Sequence, residues 1–182
     1  YGTAMILQDE FRSESVAQAI EEDGATVISL VSTMLNRLLE DEVDLSKPRA
    51  ILVGGGPVPV DALEEAHSRG ASVIQTYGLT ETCPGLTANR PGKIKVGTVG
   101  PPLPGVEIKI ADDGEILAKG PNITQGYLNR PEATADSFDA DGWFCTGDLG
   151  AIDPDGFVRI TGRKKELIKT SGGKYVAPTK IE

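Results

Sequence analysis

Residues 50–81 read "AILVGGGPVPVDALEEAHSRGASVIQTYGLTE", and the order of their apolar and polar runs decides the fold. "AILVG" (50–54) and "SVIQTY" (72–77) are short, β-branched-rich runs of strand length. Between them Asp61, with Glu64 three residues on, has the form of a capping box opening a helix that Gly70 ends. Strand, single helix, strand is a βαβ unit, and a helix crossover obliges the two strands to run parallel. The same step extends backwards. Apolar runs also start at 4 ("AMILQ") and 26 ("TVISLV"). Ser13 could cap a helix carrying Val16, Ala17 and Ile20 that stops at Gly24, and Met34, Leu35, Leu38 and Leu39 form a helical stripe. Residues 1–90 therefore read as a βα portion built on a parallel sheet.

After residue 90 the grammar changes. Gly and Pro crowd "NRPGKIKVGTVGPPLPGVEIKI", and the strands "VEIKI", "EILAKG" and "FVRIT" are separated by the turn signals "ADDG" and "DPDG". Residues 91–161 read as a small antiparallel, barrel-like β subdomain with one short helix in "RPEATADSF". Residues 162–182 begin a further small unit after the charged "GRKK". The fold class is α/β, a parallel βα sheet followed by the antiparallel subdomain and the start of a C-terminal small domain. The chain opens "YGTAMILQ" and closes "VAPTKIE", which reads as an internal piece of a longer protein.

Composition narrows the function. In 182 residues, 39% are hydrophobic and the net charge is −9, so a core can be buried while bulk electrostatic binding of a nucleic acid is disfavoured. A phosphate would have to be held locally, by backbone amides, a metal and a few placed cations. Cys83 and Cys145 have no metal-ligand spacing and read as a reduced cytoplasmic pair. The apolar runs are too short to span a bilayer. His67, the single histidine, reads as a helix-surface residue, which leaves no histidine general base. No Ser-His-Asp set and no GxGxxG fingerprint occurs.

Open parallel sheets bind ligands beyond the carboxyl ends of their strands. Two unusual sequences sit at such ends, "GGGP" (54–57) and "YGLTE" (77–81), which would bring them to one crevice. Gly54, Gly55 and Gly56 let the backbone approach a bulky ligand, or form a plain turn. Thr80 and Glu81 supply oxygens suited to Mg²⁺ shared with phosphate, or cap a helix. Tyr77 offers a flat face to a base, or fills the core. In "DGWFCTGDLG" (141–150), Asp148 on a tight turn could take both hydroxyls of a ribose, or be a solvated turn residue. Arg163, Lys164 and Lys165 are the one dense basic run, read as a solvated face, a hinge or a phosphate clamp.

"GGGP", "YGLTE", "GEILAKGPNITQGYLNRPEAT", "DGWFCTGDLG" and "GRKKELIKTSGGKYVAPTKIE" occur in one order over residues 50–182. Together they resemble the adenylate-forming enzymes: acyl-CoA synthetases, luciferases and the adenylation domains of peptide synthetases. Residues 98–123 and the chain's ending are most similar to long-chain fatty acyl-CoA synthetases, and the first half resembles o-succinylbenzoate-CoA ligases at least as much. The resemblance implies ATP and AMP, Mg²⁺ and coenzyme A as ligands, with a fatty or aryl carboxylic acid as substrate. It implies that Gly54, Gly55 and Gly56 line the acyl and adenine pocket, that Tyr77 stacks on adenine, and that Gln75, Thr76 and Gly78 add nucleotide contacts. Thr80 would meet the α-phosphate and Glu81 the Mg²⁺. Asp148 would bind ribose with Arg163 nearby, Lys165 would be the hinge, Lys169 would act in thioester formation, and Gly172 and Gly173 would border the pantetheine tunnel.

Two departures stand out: Thr76 where many relatives carry Gly or Asn, and Gly162 where long-chain synthetases often carry Asp. The family's upstream phosphate loop and downstream catalytic lysine are not in these 182 residues, so the isolated chain is expected to be inactive. A cytoplasmic protein, in solution or peripheral to a membrane, is expected, and homo-oligomerisation is left open. The alternatives are an adenylation domain that loads a carrier protein and a non-catalytic nucleotide-binding module.

Overall fold

The computed structural model of the chain describes residues 4–83, 85–90, 92–166, 168–169 and 175–176, with side chains through Glu166. It divides into two compact units, Tyr1–Gln75 with Arg90–Val96, and Thr76–Asn89 with Gly97–Glu182.

The first unit is the βα portion. Its elements are α1 (Ser13–Glu21), β1 (Val27–Val31), α2 (Ser32–Glu40), β2 (Ala50–Gly54), α3 (Val60–Ser68) and the opening residues of β3 (Val73–Tyr77). β2 runs parallel to β1 from Val27↔Ala50 to Val31↔Gly54, and parallel to β3 from Ile51↔Val73 to Val53↔Gln75. Alternation along β2 buries Ile51 and Val53 completely, and the helical stripe of α2 buries Leu35 and Leu38 completely. They meet Ala62, Leu63 and Ala66 of α3 in one apolar cluster. Truncating one such leucine to alanine costs about 2–5 kcal/mol, the lost transfer energy plus a cavity.

Four local expectations are corrected here. Residues 4–8 form no strand: they carry no regular structure and are exposed, Met5 by 78% and Leu7 by 82%. An apolar run becomes a strand only with a partner ladder, and β1 pairs with β2 alone among the described residues. Ser13 is the first residue of α1 rather than its cap, and it is buried. Asp61 lies inside α3, behind a Pro59 cap position, and accepts a hydrogen bond from the Ala62 amide at 2.9 Å. His67 is half-buried, a ring nitrogen 3.2 Å from the Val73 carbonyl oxygen, so it is not a plain surface residue.

The second unit is the antiparallel module. The end of β3 pairs antiparallel with β4 (Thr87–Ala88), Tyr77 opposite Thr87. β5 (Glu107–Ile110), β6 (Glu115–Lys119), β7 (Phe144–Ile152) and β8 (Val158–Arg163) form an antiparallel sheet in chain order. α4 (Pro131–Asp136) opens with proline at its first position, where a missing N–H costs nothing. β9 (Ile168–Lys169) and β10 (Tyr175–Val176) pair antiparallel. The core gathers Tyr77, Leu86, Val99, Ile116, Ala118 and Val158. Gly100, at φ +86°, lies so close to the backbone of Ala88 and Asn89 that a Cβ would sit 2.1 Å from a carbonyl carbon.

The setting of Asp148 is corrected from a tight turn to strand β7, which takes up residues 144–150 of "DGWFCTGDLG". Opposite β6 the ladder runs regularly at Leu117↔Cys145 and again at Glu115↔Leu149, so three residues of β7 face one of β6. This is a bulge, and Gly147 within it adopts φ +74°, the left-handed region that favours glycine.

Candidate functional site

The bulge of β7 aims Asp148 into the second unit. Its carboxylate is 6% exposed and doubly held: the Tyr77 hydroxyl donates to Oδ2 at 2.8 Å and the Arg163 Nε–H donates to Oδ1 at 2.8 Å. A buried carboxylate is tolerable only with such partners. Each answers in its own titration. Burial pushes the Tyr77 hydroxyl above its ordinary value of 10.0, and the Asp148 carboxylate holds the Arg163 guanidinium up. A carboxylate has about four lone-pair positions, two of them used here. About two remain for hydroxyl donors.

Three residues after Tyr77, the chain makes a 3-10 turn at Thr80–Thr82. The threonine that caps it is Thr82, not Thr80. The Thr82 hydroxyl, fully buried, accepts from the Leu79 amide at 2.8 Å and donates to the Leu79 carbonyl at 3.0 Å. Asn122 Nδ2 donates to the carbonyls of Thr82 and Gly85 at 2.8 and 2.7 Å, and the Thr124 amide donates to the Glu81 carbonyl at 2.7 Å. Cys83 closes the turn at φ +49°. With the capping done from below, Thr80 is exposed and Glu81 half-buried. The Tyr127 hydroxyl donates to Glu81 Oε1 at 2.8 Å, and that carboxylate raises the Tyr127 pKa. Among the described residues no three His, Cys, Asp or Glu side chains cluster as a metal site. A hard cation here would rest on Glu81 together with oxygens of a ligand, which fits an oxygen-only donor set.

The basic run is not one solvated face. Arg163 is tied to Asp148, and Lys164 Nζ lies 2.6 Å from Asp113 Oδ2 and 2.7 Å from Glu115 Oε2. Those two carboxylates, Asp113 foremost, drive the Lys164 pKa up. Lys165 is exposed in the 3-10 turn Lys164–Glu166.

Of the other expected residues, Gly78 is half-buried and Thr76 pairs with Ala88 in the ladder. Gly54, Gly55 and Gly56 belong to the first unit, with Gly55 at φ +78° and Gly56 facing open space. Gln75, opposite Val53, has a buried Oε1 without a hydrogen-bond partner. The Lys169 side chain, Gly172 and Gly173 lie outside the described residues. Sequence reasoning missed Tyr127 and Glu115. The signals for Glu115 were its place in "GEILAKG" and its register, an acidic residue at a buried strand position beside Ile116.

A βα sheet followed by an antiparallel module is the architecture of the large domain of adenylate-forming enzymes. The chain belongs to the AMP-binding enzyme family, whose profile matches residues 1–128. It is 42% identical over 194 residues to the 2-succinylbenzoate–CoA ligase of Bacillus pumilus (strain SAFR-032), covering 100% of this chain and 40% of that protein. It is 42% identical over 186 residues to the same enzyme of Listeria monocytogenes, covering 100% and 39%. In structure it is similar to the O-succinylbenzoate coenzyme A synthetase of Bacillus subtilis in complex with ATP and magnesium ion, with TM-score 0.86, 40% identity, and 96% and 39% of the two chains covered. ATP-bound MatB from Rhodopseudomonas palustris gives TM-score 0.90 at 36% identity, covering 98% and 38%. The chain thus spans about 40% of the length of the curated relatives it matches. Among the described residues no helix is long and apolar enough to cross a membrane.

Proposed function

We propose that this chain is the nucleotide-reading part of an ATP-dependent acid–thiol ligase. The whole protein would join a carboxylate to AMP with release of pyrophosphate, then pass the acyl group to coenzyme A. The names of the relatives at 42% identity favour an aryl acid of the 2-succinylbenzoate type over a fatty acid.

The observation that carries the proposal is Asp148, a buried carboxylate pinned from two sides that keeps lone pairs for two vicinal hydroxyls. Ribose offers such a pair. Arg163, exposed over 56% of its side chain, places a positive charge next to the same sugar. The Tyr77 ring would border the base, with Thr76 and Gly78 on either side of it. Gln75, through its unpartnered Oε1, would add a contact. Thr80 would donate its hydroxyl to the α-phosphate. Glu81, oriented by Tyr127, would hold Mg²⁺, which when bound neutralises phosphate charge as the carboxylate attacks. Gly54, Gly55 and Gly56 would admit the acyl group close to the backbone. Lys165 would be the pivot, Lys169 would serve the thioester step, and Gly172 and Gly173 would border the coenzyme A arm. Residues 1–90, 91–161 and 162–182 would be the corresponding sectors of the enzyme.

In a protein of the relatives' length carrying this chain, 2-succinylbenzoate should drive exchange of pyrophosphate into ATP, and Asp148→Ala and Glu81→Ala should abolish it. Unchanged rates in those variants would remove the site assignments. Exchange with a long-chain fatty acid but none with 2-succinylbenzoate would remove the substrate class. The 182-residue chain alone should give no exchange.

A further inference from the structure

Glu115 sits at the head of β6, with 6% of its surface exposed and its side chain in no role described so far for the nucleotide. Its two oxygens go to the two neighbours of the Asp148–Arg163 pair. Oε1 accepts from the amide of Gly147, the residue before Asp148, at 2.9 Å. Oε2 accepts from Nζ of Lys164, the residue after Arg163, at 2.7 Å. Directly beside it, the Thr146 hydroxyl donates to the Ile116 carbonyl at 2.8 Å and accepts from the Asp148 amide at 3.1 Å. The bulge has removed the ladder hydrogen bonds that would fix this part of β7, and side chains stand in for them.

We propose that Glu115, acting through the Gly147 amide and the Lys164 ammonium, is the positioning residue that sets the orientation of Asp148 and Arg163 toward the ribose. It touches neither sugar nor phosphate. This inference rests on the reading of Asp148 as the ribose carboxylate. Gly147 in the left-handed region has a backbone that could rotate; a charged acceptor on its N–H selects one setting, and with it the direction of the next Cα–Cβ bond. On the other strand, Lys164 clasps both Glu115 and Asp113, so the end of β8 that carries Arg163 is tied to the head of β6 and to the turn before it. One buried carboxylate thereby couples the two residues that must meet across β7 and β8 at Asp148↔Arg163.

The test is the preference for ATP over 2′-deoxy-ATP, measured as the ratio of dissociation constants by calorimetry in the full-length protein. Wild type, Asp148→Asn, Glu115→Gln and Lys164→Met are compared. A merely structural role for Glu115 would weaken both nucleotides alike. The positioning role weakens ATP alone, so Glu115→Gln should cut the preference about tenfold, the scale of losing an outer partner of a ligating group. Lys164→Met, which leaves the Gly147 amide on Glu115 Oε1, should cut it in the same direction. Loss of preference in Asp148→Asn with full preference in Glu115→Gln and Lys164→Met overturns this inference and leaves the site reading intact. Full preference in Asp148→Asn overturns the site reading itself, and this inference with it.

Discussion

Replacing Tyr77 by phenylalanine removes one oxygen and tests the internal logic of the site. The ring is 8% exposed and packed with Leu86, Val99 and Ile116, so phenylalanine fills the same space and leaves no cavity. What is lost is the hydrogen bond to Asp148 Oδ2 at 2.8 Å. A hydrogen bond to a charged group contributes about 1.5–3 kcal/mol, and the loss is felt in full because the acceptor stays buried. The Arg163 bond remains and keeps the carboxylate from being stranded. At about 2–4 °C per kcal/mol for a chain of this size, Tyr77→Phe should lower the melting temperature by about 3–12 °C. The pH dependence adds a second signature. The folded-state pKa of Tyr77 is raised above its ordinary value of 10.0, chiefly by burial. The neutral hydroxyl is therefore favoured by folding: that stability is fully present below pH 10 and is lost as pH rises from there toward the folded-state value. Urea midpoints followed by circular dichroism from pH 8 to pH 11 should fall more steeply for wild type than for Tyr77→Phe. Equal melting temperatures together with parallel alkaline limbs would show that the Tyr77–Asp148 bond does not hold the site.

Gly100→Ala should be among the most damaging single changes, because its Cβ would lie 2.1–2.3 Å from backbone atoms of Ala88 and Asn89 that cannot rotate away, at φ +86°. A loss above about 4 kcal/mol is expected, read as loss of soluble, cooperatively melting protein; a melting temperature within a few degrees of wild type would refute it. Tyr127→Phe removes the hydroxyl from Glu81 Oε1 at a site 39% exposed, so stability should change by under about 1 kcal/mol. The Mg²⁺ concentration for half-maximal pyrophosphate exchange should rise about tenfold, and an unchanged Mg²⁺ titration would argue against Tyr127 as the orienting partner of Glu81.

The parallel core was legible because its signal is local and redundant. Strand-length apolar runs at 26–31, 50–54 and 72–77 became β1, β2 and β3, with the helix stripes between them buried as the periodicity predicts. Residues 4–8 carried the same apolar signal and formed no strand, because strand formation is settled by a partner and not by the run itself. In β7 the error went the other way. Gly147 and Gly150 around Asp148 look like a turn in one dimension, while in the fold one is a bulge residue and the other a close-approach site, where a Cβ would meet the Arg159 carbonyl oxygen at 2.6 Å. For Thr80 and Glu81, the cap reading was half right: a turn cap exists, two residues further on at Thr82. Glu115 and Tyr127 escaped notice because their partners, Gly147 and Glu81, are 32 and 46 residues away in the chain, and no spacing rule reaches that far.

The side-chain-fastened bulge in β7 also says how this surface could change by mutation. In an ordinary ladder each residue can be exchanged nearly independently, since the backbone carries the pairing. Here Glu115, Thr146, Gly147, Asp148 and Lys164 are mutually conditional. A substitution at any one of them alters what the others are for, so their effects should not add. A different setting of the Asp148 carboxylate would have to be reached through several simultaneous changes on two strands, which makes this corner of the sheet slow to drift.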